Sequence, residues 1–217
     1  MKIARILIAD DHDLLRRGLR AALADSPHLV VEAEAEDGRT AIELATRLKP
    51  DIAILDVTMP LLNGLDAARA IVAASPDTRV LILTAHESEQ LVREVLRAGA
   101  RGYLLKSDAA SELIPAIDAL LADRPYFTSS VAQVVLQGFL RSGDAGAETE
   151  SGTPLSPRER EIVQLLAEGK SSKEIARLLS IAVNTADTHR ANIMRKMEFE
   201  SISDVVRYAI KNKMIEP

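Results

Sequence analysis

Apolar residues alternate between two rhythms along the first half of this chain. Short, nearly continuous aliphatic runs, Ile3–Ala9, Leu29–Ala35, Ile52–Leu55, Val80–Thr84 and Gly102–Leu105, predict buried β-strands. The segments between them carry apolar residues at helical spacing, as in Leu14, Leu15, Leu19, Ala22 and Leu23, expected to share one helix face. Strands alternating with helices imply crossover connections. The predicted fold is therefore α/β, a five-stranded parallel sheet covered on both faces, with ligands bound beyond the carboxyl ends of its strands.

After Leu121 the rhythm changes. Tyr126–Phe139 reads as one more helix, a connector. The polar stretch Arg141–Gly152 has no periodicity and cannot bury enough apolar surface to order itself, so a flexible linker is expected there. From Pro154 onward the punctuation is helical. Ser156-Pro157-Arg158-Glu159 offers an N-cap serine, a proline at the first helical position and a glutamate three after the cap, and Gly169 suits the left-handed residue that ends such a helix. Ser171–Glu174 repeats the capping box, and Ser201–Asp204 is a looser version. The chain thus divides into an α/β domain over 1–121, a linker helix and flexible linker over 122–153, and a small four-helix all-α domain over 154–217.

Composition narrows the compartment and the chemistry. Hydrophobic residues make up 47% and charged residues 27%, the balance of a globular protein, while aromatics at 3% leave the cores to Leu, Ile, Val and Ala. With no cysteine, disulfides and thiolate metal sites are excluded. No apolar run approaches the ~18 residues of a membrane span, and Asp10 and Asp11 interrupt any signal-peptide core, so a cytoplasmic protein without membrane association is expected. The net charge of −5 is unevenly spread: residues 1–120 carry 14 Lys/Arg against 19 Asp/Glu, residues 153–217 carry 11 against 9. An acidic front and a mildly basic tail suit two domains with different partners.

The strand ends carry the candidate chemistry. The first strand runs into Asp10 and Asp11, the third into Asp56, the fourth into Thr84 and the fifth into Lys106. A lone Asp at a strand end is commonly a turn former or cap, and Asp13, directly before a helical run, is expected to be one. Asp-Asp, Asp, Thr and Lys on successive strand ends at one sheet edge are a different matter. Clustered carboxylates repel unless protons or a cation offset them. Oxygen-only ligands suit a hard divalent ion, Mg²⁺ being the natural choice. A carboxylate beside Mg²⁺ and an ammonium is placed to attack phosphorus, the two cations neutralising the transferring oxygens.

Asp10-Asp11, Asp56 followed by Met59-Pro60 and Gly64, Thr84, and Gly102-Tyr103-Leu104-Leu105-Lys106 together resemble the receiver domain of two-component response regulators, a flavodoxin-like doubly wound fold. The resemblance implies that Asp56 accepts a phosphoryl group from a histidine kinase. It implies that Asp10, Asp11, Asp56 and the backbone carbonyl of Thr58 hold Mg²⁺. Lys106 would pair with the phosphoryl group, Thr84 would hydrogen-bond it, and Tyr103 would change rotamer in response. Ser107 stands where many receivers have proline, so no cis peptide is expected after Lys106.

In the tail, Ser171–Ser180 and Asn184–Met197 read as two helices joined by the tight connector Ser180–Val183, which is helix-turn-helix geometry. The second helix carries His189, Arg190, Arg195 and Lys196, with Ile193, Met194 and Met197 toward the core, and Lys170 and Lys173 sit at the start of the first. A basic helix in a bundle is most often only a solvated face. The segments Leu155–Glu161, Glu168–Ala176 and Thr188–Met197, however, resemble the LuxR-type helix-turn-helix, and with the receiver the whole chain resembles a transcriptional regulator of the NarL/FixJ type. That resemblance implies binding to double-stranded DNA, as a homodimer. Thr185, Asp187, Thr188 and Ala191 would face bases, while Lys170, Lys173, Arg190, Arg195 and Lys196 would meet phosphates, His189 lying among them. The family usually has serine where Ala182 stands, so the recognition helix lacks a cap worth ~0.5–2 kcal/mol unless Asn184 caps a shorter helix. Asp187 repels phosphate but can accept from cytosine N4.

Two sites joined by a long linker suggest that the unphosphorylated receiver masks or misorients the helical domain, and that phosphorylation favours a dimer. A haloacid-dehalogenase type of enzyme also uses an aspartyl nucleophile on a parallel sheet. It needs a second Asp two residues later, where this chain has Thr58. A dinucleotide-binding oxidoreductase lacks its glycine-rich turn here. The sequence therefore predicts a regulator and not an enzyme.

Overall fold

A computed structural model describes residues 3–85, 88–128 and 155–216. The expected connector helix beyond Thr128 and the expected flexible linker lie outside them. The front of the chain folds as β1 (Ala4–Ala9), α1 (Asp13–Ala24), β2 (Leu29–Ala35), α2 (Gly38–Leu48), β3 (Ile52–Asp56), α3 (Gly64–Ala74), β4 (Arg79–Thr84), α4 (Glu89–Arg97), β5 (Gly102–Leu105), a 3₁₀ turn (Lys106–Asp108) and α5 (Ala109–Leu121). A two-residue strand β6 (Tyr126–Phe127) follows where a helix start was expected, pairing with Gly102 and Tyr103. The sheet is accordingly six-stranded and parallel, in the order β2-β1-β3-β4-β5-β6, one strand more than the sequence predicts. Two residues are too few to carry a periodicity, and the strand exists because β5 leaves an edge to pair with.

Every residue of β3 is buried, as its unbroken Ile52-Ala53-Ile54-Leu55 run requires of a central strand covered on both faces. One core lies between the sheet and α2, α3 and α4, the other between the sheet and α1 and α5. On α1 the inward stripe is narrower than expected. Leu19 and Leu23 are buried and Leu15 packs at the edge, but Leu14 is 84% exposed and Ala22 also faces out. Positions 15, 19 and 23 recur at helical spacing, and residue 14 lies about 100° away from that row.

The back of the chain forms α6 (Pro157–Ala167), α7 (Ser172–Leu178), α8 (Val183–Lys196) and α9 (Ile202–Lys211). Ser156 and Glu159 close a reciprocal capping box around Pro157, and Ser171 and Glu174 do the same for α7. Gly169 ends α6 at φ 80°. The Asp204 carboxylate accepts both the backbone N–H and the hydroxyl of Ser201 at the start of α9. The capless reading of α8 holds: it begins at Val183 with Ala182 at the cap position and no side-chain cap. Ile162, Ile193, Val205 and Met214 are completely buried in a third core. No helix among the described residues is long and apolar enough to cross a membrane.

The front and back of the chain touch. Leu61, in the loop after β3, packs against the helical core. Gln164 on α6 is fully buried; its Nε2 donates to Met59 O at 2.8 Å, and its Oε1 accepts from Asn63 N at 2.7 Å and Asn63 Nδ2 at 3.0 Å. Arg160 bridges to Asp66 on α3 at 3.0 Å, and Arg39 on α2 reaches Glu161 at 3.1 Å and the carbonyl of Leu178.

Candidate functional site

The carboxyl ends of β1, β3, β4 and β5 converge as predicted. Asp10 and Asp56 are buried there, and Lys106, on the 3₁₀ turn after β5, spans them: its Nζ lies 2.8 Å from Asp10 Oδ2 and 3.0 Å from Asp56 Oδ2. Asp56 Oδ1 accepts the N–H of Val57 at 2.8 Å, which fixes the carboxylate on the strand end. Burial raises the Asp56 carboxyl most, the Asp10 charge raises it further, and Lys106 and the Val57 N–H pull it back, leaving it at about 7. Lys106 is held above the ordinary lysine value by its two carboxylate partners, against a desolvation that acts the other way.

Ligand atoms from Asp10, Asp11, His12 and Asp56 all lie within 4.8 Å of one another, so this cluster can hold a metal ion. The donor set fits one: three carboxylates stand together against a single ammonium, and Asp10 Oδ2, beyond that ion pair, has no well-aligned hydrogen bond of its own. Thr58 is half-buried two residues after Asp56. His12 is the residue the sequence reading missed. Its Nδ1 lies 2.8 Å from Asp11 Oδ1 and 3.3 Å from Asp10 Oδ1, and its backbone N–H donates to Asp10 Oδ1 at 2.8 Å. The signal was its place directly after the paired acids. Asp13 is not the cap expected of it: His12 occupies the cap position of α1, and Asp13, one residue inside, pairs with Arg16 and Arg17.

Thr84 is buried at the end of β4, and Tyr103, the second residue of β5, is fully buried in the core that the sheet forms with α2, α3 and α4. Gly64 explains itself by proximity. A Cβ there would stand 1.7 Å from the Asp56 carbonyl oxygen, while its N–H closes the loop onto Val57 O at 2.8 Å. All peptide bonds among the described residues are trans, including the one after Lys106.

At the helical end, Thr185, Asp187, Thr188, Arg190, Ala191 and Arg195 are exposed on α8, and Lys173 is exposed on α7. The front domain does not cover these exposed side chains; it contacts α6 and the end of α7 instead. His189 and Lys170 are half-buried. Lys196 is half-buried, its Nζ 2.7 Å from Glu159 on α6. Ala186, Ile193 and the flanks of Met194 and Met197 face the helical core.

Comparison with known proteins places both halves. Residues 6–118 match the family described as response regulator receiver domain, and residues 153–209 match the luxR family of bacterial regulatory proteins. The chain is 36% identical to the transcriptional regulatory protein LiaR of Bacillus subtilis over 97% of its own length and 99% of that protein. Among solved structures it resembles the response regulator ChrA of a haem-sensing two-component system (31% identity, TM-score 0.53, covering 99% of this chain and all of that one). It also resembles the response regulator RcsB in complex with DNA (25% identity, TM-score 0.58, covering 94% and 96%). This chain belongs to the NarL/FixJ-type response regulators, transcriptional regulators that join a receiver domain to a LuxR-type helix-turn-helix domain.

Proposed function

We propose that Asp56 accepts a phosphoryl group from a histidine kinase and that this event governs binding of α8 to a specific double-stranded DNA as a homodimer. The observation that carries the reading is the buried Asp56 carboxylate at the end of β3, bridged by Lys106 at 3.0 Å and facing Asp10. Asp56 forms the new oxygen–phosphorus bond as the bond to the donor's leaving group breaks, so the protein is a stoichiometric acceptor and not a turnover enzyme. Lys106 follows the charge on the transferred oxygens, Thr84 donates its hydroxyl to them, and Tyr103 responds from below.

Asp10, Asp11, Asp56 and the carbonyl of Thr58 would hold Mg²⁺, which when bound offsets the clustered acids and the equatorial phosphoryl charge. On DNA, Thr185, Asp187, Thr188 and Ala191 read bases from the exposed start of α8. Lys170, Lys173, Arg190 and Arg195 set register on phosphates, as does Lys196 once freed from Glu159. Such a protein works in the cytoplasm, where kinase and promoter are both accessible. Treatment with acetyl phosphate and Mg²⁺ is expected to add one phosphoryl group to the wild type and none to Asp56→Asn, as read by intact mass. Undiminished labelling of that variant refutes the assignment.

A further inference from the structure

The phosphoryl chemistry proposed for the pocket makes no use of His12, yet the fold holds this residue against the acids at two points. Its backbone N–H donates to Asp10 Oδ1 at 2.8 Å, and its Nδ1 lies 3.3 Å from that same oxygen and 2.8 Å from Asp11 Oδ1. The side chain is 62% exposed, so water competes for it throughout. It stands at the cap position of α1 without making a side-chain cap bond, so the helix start does not place the ring either. The simplest account is a solvated imidazole–carboxylate pair, common on surfaces and worth little. That account covers the contact with Asp11, itself exposed. It does not cover Asp10, which is buried and whose Oδ2, beyond the ion pair with Lys106, lacks a well-aligned hydrogen bond.

One donor atom from each of Asp10, Asp11, His12 and Asp56 falls within 4.8 Å of all the others. Three oxygens and one imidazole nitrogen make a different ligand set from three oxygens alone. Mg²⁺ is hard, prefers oxygen and keeps several of its waters, so it gains nothing from Nδ1. Divalent ions of the first transition row favour imidazole, with affinity rising from Mn²⁺ through Co²⁺ to Ni²⁺, and Zn²⁺ takes nitrogen and carboxylate ligands together. A neutral imidazole offers a lone pair at Nδ1 when its proton sits on Nε2, and an exposed ring can give that proton to water.

We propose that His12 makes this pocket a mixed oxygen–nitrogen site: with Asp10, Asp11 and Asp56 it binds a transition-metal dication of the Co²⁺ or Zn²⁺ kind through Nδ1, in competition with Mg²⁺ for the same carboxylates. The assignment rests on the reading that these acids hold a divalent cation, and adds to it a fourth side-chain ligand and a second class of ion. Because the three acids are shared, the two ions exclude each other. His12 favours one of them and is indifferent to the other.

The test titrates the full-length wild type and His12→Ala with Mg²⁺ and with Co²⁺ by calorimetry, and records the nitrogen hyperfine couplings of both proteins loaded with Mn²⁺ by pulsed electron paramagnetic resonance. The variant keeps the backbone N–H that holds Asp10 and removes no cap bond, so it is expected to fold. Loss of even an outer-shell partner costs about 10–100-fold in metal affinity, so Co²⁺ should bind His12→Ala at least about tenfold more weakly than wild type. Mg²⁺ should bind the two proteins equally. Excess Mg²⁺ should weaken the apparent binding of Co²⁺ to wild type, which marks the acidic pocket as its site and not a histidine elsewhere. A directly bound nitrogen should be seen in the Mn²⁺-loaded wild type and be gone from the variant. Equal Co²⁺ affinity in the two proteins, the same nitrogen signal or none in both, or Co²⁺ binding indifferent to Mg²⁺ overturns the assignment of His12. Failure of Mg²⁺ to bind either protein overturns instead the reading of the acids as a cation site.

Discussion

Replacing Asp56 by Asn is expected to stabilise the metal-free protein, and to do so in a pH-dependent way. The carboxyl is lifted from 3.8 to about 7, mainly by burial and then by Asp10. Between those values the folded protein binds more protons at this position than the unfolded chain does, so stability falls as pH rises through the window and stays low above it. At 1.36 kcal/mol per pH unit the full fall is roughly 4 kcal/mol. The pull of Lys106 and Val57 is already contained in that figure, because both lower the same carboxyl. Asn has no proton to lose, and every other acid is common to the two proteins. In urea unfolding followed by circular dichroism in EDTA, the advantage of Asp56→Asn should therefore widen by roughly 2–3 kcal/mol from about pH 5 to about pH 8. Mg²⁺ should shrink it by binding the wild type preferentially. An advantage that does not change with pH refutes the argument that the buried charge of Asp56 is what destabilises the empty site.

Gly64→Ala puts a methyl group 1.7 Å from the Asp56 carbonyl oxygen. The strand end must move, so labelling by acetyl phosphate should drop and the stability read by urea unfolding should fall by about 1–3 kcal/mol. Ala182→Ser supplies α8 with the side-chain cap it lacks and should raise stability by about 1 kcal/mol in thermal unfolding. A neutral result would show that the N–H groups there are already satisfied. Arg190, exposed on α8, should on replacement by Ala weaken binding equally on all DNA sequences and reduce the slope of log affinity against log salt by about 1. A change confined to one base pair would make it a base reader.

Much of this molecule is legible in its sequence because burial on both faces of a parallel sheet demands uninterrupted aliphatic runs. β2 and β5 have the bounds expected from those runs, and β3 gains only Asp56. Asp10, Asp56 and Lys106 could be brought together on paper because the carboxyl ends of parallel strands share one edge. β6 was not legible: Tyr126–Phe127 is too short to carry a pattern and is decided by the edge of β5. Leu14 misleads for a different reason, since a hydrophobic residue beside an apolar stripe looks like a member of it.

His12 was hidden because an imidazole one residue beyond paired acids looks like loop. The domain contact was the least legible feature, since Asn63 and Gln164 are 101 positions apart. The single hint was a glutamine embedded in the apolar run Ile162-Val163-Gln164-Leu165-Leu166. The pairing of Lys196 with Glu159, on another helix, was not legible either.

The central claim is that one carboxylate, Asp56, controls what α8 does on DNA. Enrichment of DNA from random oligonucleotides by the purified full-length protein, with and without acetyl phosphate and Mg²⁺, tests it in one measurement. The account predicts a single two-fold symmetric motif, with half-sites about one helical turn apart, enriched more strongly by phosphodonor for the wild type and not for Asp56→Asn. Equal response to phosphodonor by both proteins, or no common motif at all, would contradict it.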